Sequence, residues 1–440
     1  MLNFRCFASV GPVRIAPITI LIGENSSGKT SFLAGLRELV EAFVRSSGSA
    51  FNREPYYLGS FEQIAHYRGG KAGRAKSFCL EVEPLSGPLS PDLFSSGRRI
   101  ERGMVHKLTF TKGESQPELS GYTVTMREIG ATIDLTGPRA KVTVDRGNGD
   151  TFVFAAEQAP SSEVLRRDVS FLGYFLQDLG RRQNRSAEQG PSHTDRLDDT
   201  VRTLANRLRS TSRMMAREVF ASAPVRIQPR RVYTPSELSA LNPGEQVPLQ
   251  IANMKLASDD KWNSTKQRLI AFGKVSRLFE DIEVKRFGKS NSDPFQLQIK
   301  NQGPAANIVD VGYGVSQALP LLFPLQADMG YDFFLLQQPE VHLHPRAQAE
   351  FGSLITGLSS TNRNANYIIE THSDYILDRI RSDVRKGVIA PDNVNILLFR
   401  REGLDTSILE LGLDWNGEVT NYPDDYRSFF LEEQARVLGL

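Results

Sequence analysis

Hydrophobic and polar residues change rhythm several times along this chain, and each change predicts an element. Residues 2–22 read as two short strands followed by a third, the uninterrupted apolar run Ile18 to Ile22. Phe32, Leu33, Leu36 and Leu39 then recur at helical spacing and predict a helix over Ser31 to Val40. From Lys76 to Ala155 the period falls to two. Alternation marks strands at Ser77–Val82, His106–Phe110 and Lys141–Val144. Turn signals at Ser86–Pro88, Thr136–Pro138 and Gly147–Asp150 separate them, so an antiparallel meander is expected. Residues 163–222 read mostly as helix, broken within the polar stretch Arg181 to Asp195, with a second helix over Arg196 to Phe220. A helix over Trp262 to Phe279 and strands at Ile282–Lys285 and Phe295–Ile299 follow. Nearer the C-terminus the pattern predicts helices at Ala318–Leu325, Arg346–Leu358 and Tyr375–Arg381, the last capped by Asp374. Between them lie buried strands at Tyr331–Leu336 and Tyr367–Ile369.

The first buried strand and first helix are joined by Gly23-Glu24-Asn25-Ser26-Ser27-Gly28-Lys29-Thr30, which fits G-x-x-x-x-G-K-[ST] at every fixed position. The context is the one the chemistry needs. A glycine-rich turn points successive N–H groups inward, and the positive end of the helix dipole faces the same hollow. Gly23, Asn25, Ser26, Ser27, Gly28, Lys29, Thr30 and Ser31 are therefore the candidate binding residues for ATP. Lys29 would reach the β- and γ-phosphates, and Thr30 would offer its hydroxyl to Mg²⁺.

Two later strands end in polar residues. One runs into Gln337-Gln338-Pro339-Glu340 and then His342-Leu343-His344-Pro345; the other runs into Glu370-Thr371-His372-Ser373. Strand ends beside a P-loop are where such ATPases hold a metal-linked carboxylate and a γ-phosphate sensor. Gln337, Gln338, Glu340 and His372 are thus the candidate catalytic residues, with Gln337 also a candidate for the metal. Gly314, Ser316 and Gln317, at the start of an apolar helix, form a second anion-binding surface. One chain rarely needs two, so this surface is expected to meet the nucleotide held by a second copy.

The order of these motifs resembles the ABC-type ATPase heads of the OLD-like and SMC-like branch, including stand-alone members without a Toprim nuclease domain. The resemblance covers residues 1–45 and 305–440 well and the middle in outline. It implies an α/β fold: an ABC-type P-loop head with an antiparallel β subdomain and a helical insertion. The expected divisions are an N-lobe at 1–160, an Arg-rich helical insertion at 161–300 and a C-lobe at 301–440. It also implies an ATP-sandwich dimer. In it Ser316, with Gly314 and Gln317, is the signature, His344 and its neighbours the D-loop, and His372 the switch histidine. Gln63 is a weak candidate for the Q-loop, with a solvated helix glutamine the equal alternative.

The chain departs from the pattern at Gln337, where the family places a carboxylate. An amide can hold a water ligand of Mg²⁺ but cannot neutralise the ion. Glu340 is the nearest remaining carboxylate along the chain. Binding is expected to survive and turnover to be slow. A natural binding switch and an introduced Glu→Gln change both fit.

Bulk composition narrows the rest. At 440 residues, 40% apolar and 24% charged, the chain can bury a core, and its net charge of +2 leaves DNA to local charge. Only Cys6 and Cys79 are present, outside any C-x-x-C, which fits a reducing cytoplasm and argues against zinc or disulfides. No apolar run approaches membrane-span length, so no membrane partner is expected. The resemblance points to the ATPase subunits of two-gene anti-phage systems such as PARIS and Septu, whose ATPase controls a separate effector. The alternative is a RecF-like repair ATPase that binds DNA through Arg202, Arg209, Arg213 and Arg217, with Arg226, Arg230 and Arg231. In that case the four helix arginines would share one face.

Overall fold

The computed structural model describes residues 1–43, 51–84, 103–145, 147, 150–154, 161–167, 173–176, 178, 194–226, 228–235, 246–362 and 364–423. The predicted turn at Ser86–Pro88 and the predicted break within 181–193 lie outside these residues.

In chain order the strands begin with β1 (Leu2–Phe4), β2 (Phe7–Ser9) and β3 (Ile18–Gly23), and helix α1 (Lys29–Glu41) follows. A short ribbon of β4 (Asn52–Arg53) and β5 (Tyr56–Tyr57) leads to α2 (Phe61–Ile64). The meander comprises β6 (Ser77–Val82), β7 (Val105–Lys112), β8 (Pro117–Met126), β9 (Ile129–Asp134), β10 (Lys141–Asp145) and β11 (Thr151–Val153). Then come α3 (Ser162–Arg167), α4 (Thr194–Met215), β12 (Val219–Ser222), α5 (Val247–Ala257), α6 (Asp259–Ser276) and β13 (Asp281–Arg286). After β14 (Phe295–Lys300) and β15 (Ala306–Asn307) lies α7 (Tyr313–Gln326). Next are β16 (Phe333–Gln337), α8 (Pro345–Thr361), β17 (Asn366–Glu370) and α9 (Asp374–Arg385). The last described strands are β18 (Val394–Glu402), β19 (Asp405–Leu413) and β20 (Val419–Thr420).

The central sheet has the order β12-β16-β17-β3-β18-β19-β20, and its first five strands are parallel. Parallel strands are covered on both faces, which explains their apolar runs. Phe333 and Leu335 of β16 face one core, with α1 and the meander. Phe334 and Leu336 face the other, with α5 to α9. The second sheet is antiparallel, in the order β11-β10-β9-β8-β7-β6-β1-β2. The chain is thus a mixed α/β fold with an antiparallel sheet, as expected.

Two sequence expectations change here. The helix predicted to run to Phe220 stops at Met215, and Val219–Ser222 instead pairs with β16 as the edge of the central sheet. Its β-branched and aromatic residues suit that place. The predicted insertion therefore contributes a strand to the core. The cap of α9 is Ser373, whose hydroxyl accepts from Ile376 N at 3.2 Å, and Asp374 is the first helical residue.

Among the meander's inward residues is His106, fully buried, with Nδ1 at 2.6 Å from the Tyr122 hydroxyl and Phe43 edge-on at 5.2 Å. Burial pushes its pKa from 6.5 down to about 4. The unfolded chain takes up this proton at higher pH than the folded one. Stability is therefore full above about pH 6.5 and falls as pH drops toward about 4. A His106→Phe variant, followed by urea unfolding across that window, should lose about 3 kcal/mol of the pH dependence. An unchanged slope would exclude His106 as its source.

Candidate nucleotide-binding site

Three parallel strands deliver the site to one edge of the central sheet. Register aligns Gln337 with Glu370 and Glu370 with Leu21, two residues before Gly23. Ligands of open α/β sheets bind at the carboxyl ends of the strands. The loop that follows β3 is built around Gly23 (φ 137°), Ser26 (φ 60°) and Gly28 (φ 103°). Glycine is required at two of these. A Cβ on Gly23 would lie 2.4 Å from Phe399 O, and one on Gly28 would lie 2.5 Å from Cys6 Sγ.

Lys29 is 3% exposed, and its Nζ donates to Gly23 O at 2.9 Å and Glu24 O at 2.7 Å. Burial lowers its pKa, against the attraction of Glu370 and Glu24. Asn25 and Ser26 form the exposed tip, and Ser27 is buried beneath Lys29. Ser31 accepts from Arg5 Nε at 3.1 Å, so its hydroxyl braces the loop from behind.

Thr30 shows a residue that the sequence reading passed over. Its hydroxyl donates to the Glu370 carboxylate, at 3.0 Å to Oε2 and 3.2 Å to Oε1. The Gln337 amide donates to the same carboxylate at 3.3 Å. The carboxylate that meets Gln337 is therefore Glu370's and not Glu340's. Glu340 is bound elsewhere, accepting from Thr371 Oγ1 at 2.8 Å and His372 N at 2.7 Å. It shapes the loop that carries His372. His372 is exposed overall, and its pKa is lowered by partial loss of solvent around the ring and by the charge of Lys29, against the attraction of Glu370. The signal for Glu370 was its place at a strand end, directly before Thr371 and His372.

The remaining candidates divide sharply. Gln338 sits at φ 41°, with its N–H donating to Glu370 O at 2.7 Å; it turns the chain after β16. His344 caps α8, its Nδ1 accepting from Arg346 N at 3.2 Å. Gln63 closes a capping box on α2, its Oε1 accepting from Ser60 N at 2.8 Å, which accounts for it without a Q-loop role. Gly314 is half-buried, 3.0 Å from His342 O at its added Cβ. Ser316 is buried and donates to Tyr313 O at 2.9 Å. Gln317 is wholly buried and exchanges two hydrogen bonds with the Arg226 backbone, each 3.2 Å. Ser316 and Gln317 thus turn into their own subunit; Gly312 and Tyr313 are the exposed part of the turn.

Arg226, expected on a phosphate-binding loop, is instead buried. Its guanidinium donates to Gln317 O, Gln337 O and Gln338 O, at 3.2, 3.4 and 3.2 Å. Burial lowers its pKa to about 10, so it stays a cation at neutral pH. The arginine stripe is broken as well. Arg217 lies past the end of α4 and donates to Asn366 Oδ1 at 3.0 Å, and Arg209 lies over the Tyr174 ring at 4.9 Å. Arg231 pairs with Asp310, and the side chain of Arg213 lies outside the described residues.

The donor set fits the expected cofactor. Mg²⁺ takes hard oxygen ligands and leans on substrate phosphates plus one or two carboxylates. Thr30, the Gln337 amide oxygen and Glu370 supply that kind of set beside the Lys29 cradle.

Residues 231–377 match the AAA ATPase domain family, a stretch that holds the α7 turn, Gln337, Glu370 and His372 but not the Gly23–Thr30 loop. No curated protein matches. Among solved structures, an Smc head bound to the C-winged helix domain of ScpA aligns at 12% identity. It covers 93% of this chain and 96% of its own, with a TM-score of 0.47. The Smc head with extended coiled coil from Pyrococcus furiosus gives 12% identity, 98% of both chains and a TM-score of 0.40. The SMC head from Thermotoga maritima gives 11% identity, 93% and 95% coverage, and 0.36.

Replacing Arg226 should show what it holds. Arg226→Met removes three hydrogen bonds from a charged donor, to Gln317 O, Gln337 O and Gln338 O, and should cost on the order of 3 kcal/mol in urea unfolding. A loss below about 0.5 kcal/mol, the usual range for a surface change, would show that the cation is dispensable.

Proposed function

We propose that this chain is an ATP-binding switch subunit of the P-loop ATPase class. It closes as a dimer around nucleotide and thereby controls a separate effector, a nuclease or toxin, in bacterial anti-phage defence. The observation that carries the nucleotide reading is the meeting of Lys29, Thr30 and Glu370 at the C-terminal edge of parallel strands. The AAA ATPase domain match supports it from the other half of the site. The effector and defence assignments draw on the resemblance of the motif order alone. Among the described residues no helix is long and apolar enough to cross a membrane.

The geometry narrows how two copies would meet. Ser316 and Gln317 are committed to their own subunit, which leaves the N-terminal edge of α7, at Gly312 and Tyr313, as the face for a partner's triphosphate. The DNA-repair alternative loses two of its arginines, because Arg217 lies past the end of α4 and bonds Asn366, and Arg226 is buried.

Two variants separate binding from closure. Lys29→Ala should weaken fluorescent mant-ATP binding about 100-fold, the ~3 kcal/mol of a charge-assisted contact. Gly312→Glu meets nothing within 4 Å at its Cβ and has φ −55°, so it should fold normally. It places a carboxylate where a partner's γ-phosphate would arrive. Mass photometry should show ATP-dependent dimers for the native chain and monomers for Gly312→Glu, with mant-ATP binding retained. Dimers that persist in Gly312→Glu would remove this interface. A pull-down with the product of the neighbouring gene, with and without ATP and Mg²⁺, tests the effector; no capture in either condition would count against it.

A further inference from the structure

The metal pocket of this chain has an amide where charge is needed, and a carboxylate one strand away. We propose that Glu370, at the end of β17, is the residue that supplies the negative charge for Mg²⁺ bound with ATP, in place of Gln337 at the end of β16. The inference rests on the nucleotide reading above and goes beyond it by relocating the charge.

Four observations converge on Glu370. First, it is 5% exposed, where a carboxylate's charge is costly unless offset, and Lys29, the cation that feels it, gives its hydrogen bonds to Gly23 O and Glu24 O instead. Among its described contacts the hydrogen-bond donors are neutral, the Thr30 hydroxyl and the Gln337 amide. Second, one of those donors is the P-loop hydroxyl itself. A hydroxyl that gives its hydrogen to Glu370 keeps its lone pairs for a cation. Third, among the described residues there is no group of three or more His, Cys, Asp or Glu able to hold a metal ion. An ion here must share the triphosphate oxygens and draw on one nearby carboxylate, the usual arrangement for Mg²⁺. Fourth, Glu340 is already held by Thr371 Oγ1 and His372 N.

The pairing of Gln337 with Glu370 then has a physical sense. Two carboxylates whose oxygens lay this close would repel each other before the ion arrived. With one amide, the same pair is held by a hydrogen bond of 3.3 Å. Glu370 acts on the ion directly or through Thr30, and is in either case a metal-site residue.

The test is mant-ATP titration of the full chain, in EDTA and in excess Mg²⁺. The native chain, Glu370→Gln, Gln337→Glu/Glu370→Gln and Lys29→Ala are compared. Mg²⁺ should tighten binding to the native chain. Glu370→Gln should lose about 10- to 100-fold of the Mg²⁺-dependent gain, read as the ratio of its own affinities in Mg²⁺ and in EDTA. The double variant exchanges amide and carboxylate within one hydrogen-bonded pair, and should recover most of that gain. A purely structural role for Glu370 predicts no such recovery. Should Glu370→Gln fail to fold, the double variant is read alone: a native-like Mg²⁺ gain supports the proposal, and its absence in folded protein overturns it. A full Mg²⁺ effect in Glu370→Gln, or none in the native chain, also overturns it. Failure of the nucleotide reading looks different, because the native chain would then match Lys29→Ala in both conditions.

Discussion

The site depends on strand register. β16, β17 and β3 run parallel, so a residue's place along its strand decides whether it reaches the functional edge. Gln337, Glu370 and Leu21 stand in one row across the three strands, and the glycine loop begins two residues later. A slip of one residue in β17 would send Glu370 to the opposite face and bring Thr371 into its row. The apolar residues behind it oppose such a slip. Ile368 packs with one core and Tyr367 and Ile369 with the other, so a shift would misplace all three. The chemistry at the edge is therefore held by packing deeper in the sheet.

Much of this was legible because the signals were local. The Gly23–Thr30 loop lies between a strand and a helix that apolar spacing had already marked. The meander announced itself by alternation. What escaped was whatever required knowing a neighbour. Val219–Ser222 continues a polar helix without a strong break, and only its pairing with β16 makes it a strand. Arg226 reads as one arginine among many in a proline-bearing loop, yet three backbone carbonyls enclose it. Glu370 sits at the end of an apolar strand, but its contact with the glycine loop comes from Thr30, 340 positions away along the chain. Gln63 and His344 both turn out to cap helices. A polar residue at a helix start is as useful for capping as for binding, and spacing alone does not distinguish the two.

Arg226 joins the two halves of the proposed switch. Its guanidinium touches Gln317 O in α7 and both Gln337 O and Gln338 O at the end of β16, while its backbone engages the Gln317 side chain. The end of α7 that would face a partner is thereby tied to the strand end that carries Gln337, beside Glu370. The tie is short and buried, and it bears on backbone atoms, which cannot yield as flexible side chains do. Displacement of the Gln337–Gln338 turn therefore strains the start of α7, and displacement of α7 strains the turn. Gln338 at φ 41° already holds that turn in a conformation side chains rarely adopt. A nucleotide that drew on Glu370, as proposed, would also bear on Gln338, whose N–H is bonded to Glu370 O. Thr30, Glu370, Gln338, Arg226 and Gln317 are in this way joined by one continuous set of hydrogen bonds.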